Sequence, residues 1–255
     1  MVEMSRLPLI CSLLFASLPA QAQTDAAAAT STRRTEPACD QMIVTIVDDW
    51  DASTGKLQCF ERTRRGWKAA FDPPIPVLLG HSGLAWGRGL RGQGETGRHK
   101  REGDGRAPAG VFKIGKIYTY DPRLPSGANY PFRQITQWDA WVDDPELAQY
   151  NRHVVVDPKD VPAWFEKQKM RHGDAAYRWL IEVRHNADPP EPGAGSAIFF
   201  HTRRGPDRKT SGCTTMSSAD LIRVIRWLRS DKHPQYTLLP KAEYQKRKKA
   251  WDLPD

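Results

Sequence analysis

The sharpest periodicity in the chain lies between residues 217 and 229. Leu221, Val224, Ile225 and Leu228 recur at i, i+3, i+4 and i+7, with Arg223, Arg226 and Arg229 on the other side. That is the signature of an amphipathic helix laid on a core. Ser217, with Asp220 three residues on, opens it as a variant capping box, and residues 231–234 close it. Elsewhere the spacing is two. Trp179, Ile181, Val183 and His185 alternate with Leu180, Glu182, Arg184 and Asn186, which predicts a half-buried strand over 179–186. An apolar run at 42–47, a turn cluster at 48–55 and a second run at 57–62 predict a hairpin. Pro73, Pro74 and Pro76 interrupt the chain before a short strand at 77–79. Further short strands are predicted at 111–118, 198–201 and 237–239, with the Pro/Gly loop 188–195 joining the strand at 179–186 to the one at 198–201. Residues 80–110 are Gly-rich and polar and predict one long ordered loop. Short helices are predicted at 144–150 and 162–172, and a basic, peripheral one at 241–251. No repeat or heptad occurs. Many short strands and few helices make this a mainly β domain with peripheral helices, in the α+β class.

The N-terminus changes the picture of where this domain works. Arg6 precedes an apolar stretch at 7–18 that is too short to span a bilayer, and Ala20-Gln-Ala22 follows as a small-x-small cleavage site. Residues 1–22 are expected to be a signal peptide, although Glu3 is unusual in such a segment. Cys11 lies inside the apolar stretch behind Ile10, which does not suit a lipoprotein cleavage. Residues 23–38, rich in Ala, Thr and Ser, are expected to be a flexible linker, and 39–255 one catalytic domain of ordinary size. No other apolar run is long enough for a membrane span. The chain is expected to be secreted across the inner membrane, into the periplasm or cell wall. Its formal charge of +8 survives cleavage, because Arg6 and Glu3 cancel. In that compartment an anionic wall polymer is the fitting partner, and nucleic acid is not. Cys39, Cys59 and Cys213 remain after cleavage, an odd number that leaves one thiol free. Cys39 and Cys59 flank the predicted hairpin and are expected to form a disulfide, leaving Cys213.

Candidate chemistry concentrates in Ile198-Phe-Phe-His-Thr-Arg-Arg-Gly-Pro-Asp-Arg-Lys-Thr-Ser-Gly-Cys-Thr-Thr-Met216. A strand delivers His201 to its end, and the loop behind it is long enough to fold Cys213 back onto the imidazole. A Cys–His pair is a nucleophile with its base. The amides of Gly212, Cys213 and Thr214 are candidate oxyanion donors, since a turn there can point successive N–H groups one way. A helix start four residues after Cys213 and a nearby imidazole would both favour the thiolate. On residues alone, an inert core cysteine and an unconnected surface histidine read equally well. A zinc site does not: Cys213, His201 and His185 are too few and lack ligand spacing, so no metal or cofactor is expected. Gly87-Arg-Gly-Leu-Arg-Gly92 matches a dinucleotide pattern but lacks the helix that would hold pyrophosphate. Glu102-Gly-Asp-Gly105 reads as a tight turn rather than a calcium loop. His185 and Asn186 are candidates to hydrogen-bond near the site, against the equally good reading of His185 as a satisfied core histidine.

Several segments resemble, in family order over roughly 42–240, the L,D-transpeptidase (YkuD-type) family of bacterial cell-wall enzymes. They are Lys100-Arg-Glu-Gly-Asp-Gly-Arg-Ala-Pro-Ala-Gly-Val-Phe112, Val142-Asp-Asp-Pro with Tyr150-Asn151, His185-Asn186, Gly195-Ser-Ala-Ile-Phe-Phe-His201 and Thr210-Ser-Gly-Cys-Thr-Thr-Met216. The resemblance implies a β-sandwich or barrel catalytic domain, no metal, and acyl transfer through a Cys thioester on peptidoglycan stem peptides. It also implies that carbapenem-type inhibitors acylate the same thiol. By motif position Cys213 is the nucleophile, His201 the base, and the Thr202 carbonyl the group that fixes the imidazole, the task of a carboxylate in serine proteases. Ser211 and Thr215 flank the nucleophile as substrate contacts. Most members carry Arg where this chain has Thr215, so Arg203, Arg204 or Arg208 would have to take over the substrate carboxylate. That departure and the short His-to-Cys spacing resemble a subgroup, some of whose members form 1,3 rather than 3,3 cross-links. An L,D-carboxypeptidase or amidase would use the same residues. A non-catalytic wall-binding module would use only the basic surface. A papain-like or NlpC-type protease is disfavoured, because its Cys precedes its His.

Overall fold

The computed structural model describes residues 38–255. The expected signal peptide and all but the last residue of the expected linker lie outside the described residues. In chain order the strands are β1 (Gln41–Val47), β2 (Thr54–Thr63), β3 (Gly66–Ala69), β4 (Ile75–Leu78), β5 (Leu84–Trp86), β6 (Ala107–Thr119), β7 (Phe132–Gln134), β8 (Asp139–Val142), β9 (Arg152–Val155), β10 (Trp179–Val183), β11 (Phe199–Thr202), β12 (Thr214–Met216) and β13 (Gln235–Pro240). The helices are α1 (Phe165–Gln168), α2 (Ser218–Trp227) and α3 (Lys241–Arg247). The fold is mainly β, as the pattern predicts.

Eight strands close into a ring in the order β1, β13, β6, β10, β11, β12, β4, β2, with β2 pairing back to β1. Closure leaves no free sheet edge on the ring itself. β13 runs parallel to β1 and antiparallel to β6, and β11 runs parallel to β12. The interior is filled by side chains such as Ile43, Leu57, Phe112, Ile181, Phe200, Met216 and Leu238, all essentially without exposure. Burying each is worth roughly 1.5–3 kcal/mol. Leu221, Val224 and Ile225 of α2 join this core, and Ser217 caps the helix by accepting from the Asp220 amide at 3.1 Å. The helix stops at Trp227, before the predicted breaker, and a single 3₁₀ turn spans Ser230–Lys232.

A second apolar cluster forms outside the ring, where Tyr118, Trp141, Met170, Leu180 and Phe199 meet. It explains why β10 is buried on both faces rather than one: Trp179, Ile181 and Val183 face the main core while Leu180 enters this second cluster. The strand also ends at Val183, before His185 and Asn186. β8 and β9 form a separate two-stranded sheet that brings Trp141 to the cluster.

Four other expectations are corrected. Residues 144–150 form turns rather than a helix, and the helix expected at 162–172 shrinks to the single turn of α1. The long loop at 80–110 contains β5 and the start of β6. The disulfide is not formed: Cys39 and Cys59 are both free thiols. The hairpin register places Cys59 opposite Ile43, inside the core, and Gln41 opposite Glu61, so Cys39 lies beyond the end of that pairing. Its sulfur lies 3.0 Å from the Gln41 carbonyl instead.

Candidate active site

The parallel pairing of β11 with β12 sets Phe200 opposite Thr214 and His201 opposite Thr215. Cys213 enters β12 from the loop and lies two residues before Thr215, the residue facing His201. Strand alternation puts Cys213 and Thr215 on one face. Both line a cleft of about 380 Å³, together with His201, Lys100, Arg204 and Arg208. The structure thus brings together the two residues that sequence reasoning put first.

His201 is 5 % exposed, and its Nδ1 lies 3.0 Å from the Thr202 carbonyl. A carbonyl only accepts, so Nδ1 carries the proton and the neutral ring's lone pair sits on Nε2. Among the described residues Nε2 has no hydrogen-bond partner. Tyr177 meets the ring edge-on at 5.0 Å. Burial holds this imidazole down to about 4, against the opposing pull of the Thr202 carbonyl. The Cys213 sulfur donates to the Ala197 carbonyl and accepts from the Phe199 amide, each at 3.4 Å. Burial pushes its pKa up to about 11, with the Phe199 N–H, then Lys100 and Arg204, pulling the other way. The resting pair is therefore a thiol and a neutral imidazole, not the ion pair the sequence suggested. β12 intervenes between Cys213 and the α2 cap at Ser217, which separates the thiol from the helix terminus. An imidazole with a free Nε2 in the same cleft can accept the thiol proton as the sulfur attacks.

Gly212 adopts φ 147°, and a Cβ there would stand 2.8 Å from the Arg106 carbonyl oxygen, so the turn before the nucleophile needs glycine. Its amide donates to Thr210 Oγ1 at 3.0 Å, and that hydroxyl donates to the Cys213 carbonyl at 2.7 Å. Of the three amides considered as oxyanion donors, Gly212's is therefore committed within the loop. The Thr214 side chain turns inward to Tyr236 Oη at 3.0 Å. Thr215 Oγ1 donates to the Leu78 carbonyl at 3.3 Å, and Ser211 is exposed on the rim.

The three arginines of the loop separate. Arg203 is pinned to the Pro76 carbonyl at 2.9 Å and does not line the cleft. Arg204 lines it but is held by Asp174 at 2.6 Å and lies over the Tyr177 ring at 4.6 Å. Arg208 is exposed on the lip beside Lys209. His185 and Asn186 are not brought to the cleft. The Nδ1 of His185 accepts from the Arg88 amide at 3.1 Å and its Nε2 donates to the Ala194 carbonyl at 3.0 Å. Asn186 Nδ2 donates to Glu191 and Gly195 carbonyls at 2.8 and 3.0 Å, pinning the 188–195 loop.

Sequence reasoning missed Lys100. Its side chain is 3 % exposed, lines the cleft, and is held by Asp104 at 2.5 Å and the Arg101 carbonyl at 2.7 Å. Asp104 also accepts from the Arg101 and Arg106 amides, so the predicted tight turn is real and its purpose is to hold this ammonium. The i,i+4 spacing of Lys100 and Asp104 was the available signal. A smaller apolar pocket of about 140 Å³, with Trp141, Met170 and Phe199 in its walls, shares Cys213, Ala197, Tyr177 and Asp143 with the cleft. Among the described residues, no group of three or more His, Cys, Asp or Glu side chains could hold a metal ion. No helix among them is long and apolar enough to cross a membrane.

Comparison with protein families matches residues 78–237, more than half of the chain, to the L,D-transpeptidase catalytic domain, YkuD. Searches of curated proteins and of solved structures returned no match.

Proposed function

Because the chain belongs to the L,D-transpeptidase catalytic domain family, whose members act on peptidoglycan peptides, we propose that it is an exported cysteine acyltransferase that cross-links stem peptides. The observation that carries this reading is His201, held by Thr202 through Nδ1 and with no partner for Nε2 among the described residues, in the cleft that holds the Cys213 thiol. Cys213 Sγ attacks the carbonyl after the third stem residue while Nε2 takes the thiol proton. The imidazolium returns that proton to the departing amine of the terminal D-amino acid, leaving a thioester. An amine of a neighbouring stem then attacks the thioester and gives its proton to Nε2. The expelled sulfur recovers that proton. The amide of Cys213 supports the oxyanion, since that of Thr214 belongs to the pairing of β12 with β11. Arg208, with Lys209 beside it, takes the substrate carboxylate that the family's missing arginine would hold at Thr215; Arg203 and Arg204 are tied up elsewhere.

Mass spectrometry of purified muropeptides incubated with the enzyme tests this directly. Cross-linked dimers that vanish in Cys213→Ala are expected. Loss of the terminal residue without dimers would make the enzyme an L,D-carboxypeptidase, and turnover by Cys213→Ala would overturn the mechanism. A carbapenem should add its mass once, at Cys213, since its strained carbonyl offers the same electrophile. Cleavage after Ala22 on expression in a bacterium that exports it would support a periplasmic location; retention of residues 1–22 would refute it.

A further inference from the structure

Ala197 stands in the left-handed region, at φ 53°, where a residue with a Cβ stays only if its surroundings hold it. Its two peptide groups point at two partners. Its amide donates to Asn151 Oδ1 at 3.0 Å, and its carbonyl accepts the thiol proton of Cys213 at 3.4 Å. Asn151 is 6 % exposed, is itself left-handed at φ 53°, and spends every polar atom of its side chain. Nδ2 donates to the His185 and Asn186 carbonyls at 2.9 and 2.7 Å, and Oδ1 accepts from Trp141 Nε1 at 3.0 Å as well as from Ala197. Two carbonyls on one side and two N–H groups on the other fix which way the amide points. Asn151 also donates its backbone amide to the Val142 carbonyl at 2.6 Å, so the side chain is carried on the rigid β8–β9 sheet.

We infer that Asn151 is a positioning residue for the nucleophile: it locks Ala197 in the left-handed conformation whose carbonyl holds the Cys213 thiol in place. The side chain does not line the cleft, and its influence runs through one peptide unit. The same network gives His185 and Asn186 a part, since their carbonyls are the fixed points from which Asn151 is hung. Asparagine suits the place because it offers two donors and two acceptors in one plane and tolerates a left-handed backbone. Leucine of similar bulk would leave the two carbonyls and two N–H groups without partners.

The test separates positioning from stability. A carbonyl facing the sulfur favours the protonated thiol, so releasing it should move the pH midpoint of Cys213 alkylation downward. In Asn151→Ala, muropeptide turnover should fall roughly 10- to 100-fold in kcat with KM little changed, because a small misplacement of a reacting atom has effects of that size. Iodoacetamide labelling of Cys213, read by peptide mass across pH, should show the lower midpoint. Adding Ala197→Gly, which removes the left-handed penalty, should recover part of both. A midpoint and kcat that stay at wild-type values, or losses that track only the folded fraction and are not relieved by Ala197→Gly, would overturn the assignment. Should Asn151→Ala fail to fold, hydrogen exchange on the wild-type protein decides: the Ala197 amide should be protected, and rapid exchange there would refute the lock. Only the turnover arm rests on the proposed function. The labelling and exchange arms need no substrate, so a wrong substrate would leave them standing.

Discussion

His185 lies just past the end of β10 and His201 within the neighbouring β11; they are 2 % and 5 % exposed, and each donates a ring proton to a backbone carbonyl. Burial depresses both, to about 3 and about 4. By burial and basicity they are alike. They differ in the other ring nitrogen: His185 accepts the Arg88 amide with it, whereas the Nε2 of His201 faces no partner among the described residues. A histidine that satisfies both nitrogens is structure. One that keeps a lone pair free in a cleft beside a thiol is available for chemistry.

His201→Gln is the strongest test of that contrast. Turnover should fall by about 10²- to 10⁴-fold, the usual worth of a positioned acid–base group, with the melting temperature nearly unchanged. A small loss would mean that the free nitrogen is not the base. Acid titration of stability sharpens the comparison. Both folded pKa values lie below the ordinary histidine value of about 6.5, so on acidification the unfolded chain binds protons that the folded chain refuses. Stability due to these groups is complete above about pH 6.5 and falls as pH drops, to about 4 for His201 and about 3 for His185. The difference in stability between wild type and His201→Gln should therefore level off near pH 4, and that for His185→Gln near pH 3. Reversed windows would show that the two environments have been confused. His185→Gln should itself cost about 1–3 kcal/mol, from the groups left unpaired, with activity per folded molecule preserved. Chemical denaturation alongside active-site titration would read both. The smallest effect belongs to the loop. Arg208→Ala with Lys209→Ala should raise KM for stem peptide by roughly tenfold while leaving carbapenem acylation intact, since only the peptide offers a distal carboxylate. Arg203→Ala should leave KM unchanged, and equal effects from both would break the distinction between free and committed cations.

What the sequence disclosed follows from the range over which each signal acts. α2 was legible because four apolar residues on one stripe and a capping serine are contained in a dozen positions. The β1–β2 hairpin and β11 were legible for the same reason. β5 was not: Leu84, Ala85 and Trp86 are all buried, and three residues cannot establish a period. β10 was found, but its exposure was misjudged, because the cluster that covers Leu180 is assembled from segments far away in the chain. Cys213 and His201 were recognisable as residues, whereas their charge state was not. Burial decided that, and burial is a property of the closed barrel. His185 and Asn186 carry the right chemistry for a site, and only the path of the 188–195 loop shows that they spend it on backbone. Cys39 and Cys59 obeyed parity and compartment, yet a strand register of a few residues keeps them apart.

The pairing of β1 with β13 has a consequence in time. The strand made early in synthesis finds one of its two neighbours only when the end of the domain has emerged, and β6 waits for the same strand on its other side. Until then both present open edges, and no smaller piece of the ring can close around the core. Such long-range pairing slows folding. Under the proposed export, lateness is useful: the polypeptide stays threadable until nearly all of it has been delivered. A stop codon placed just before Gln235 would remove few residues and leave β1 and β6 without their shared partner.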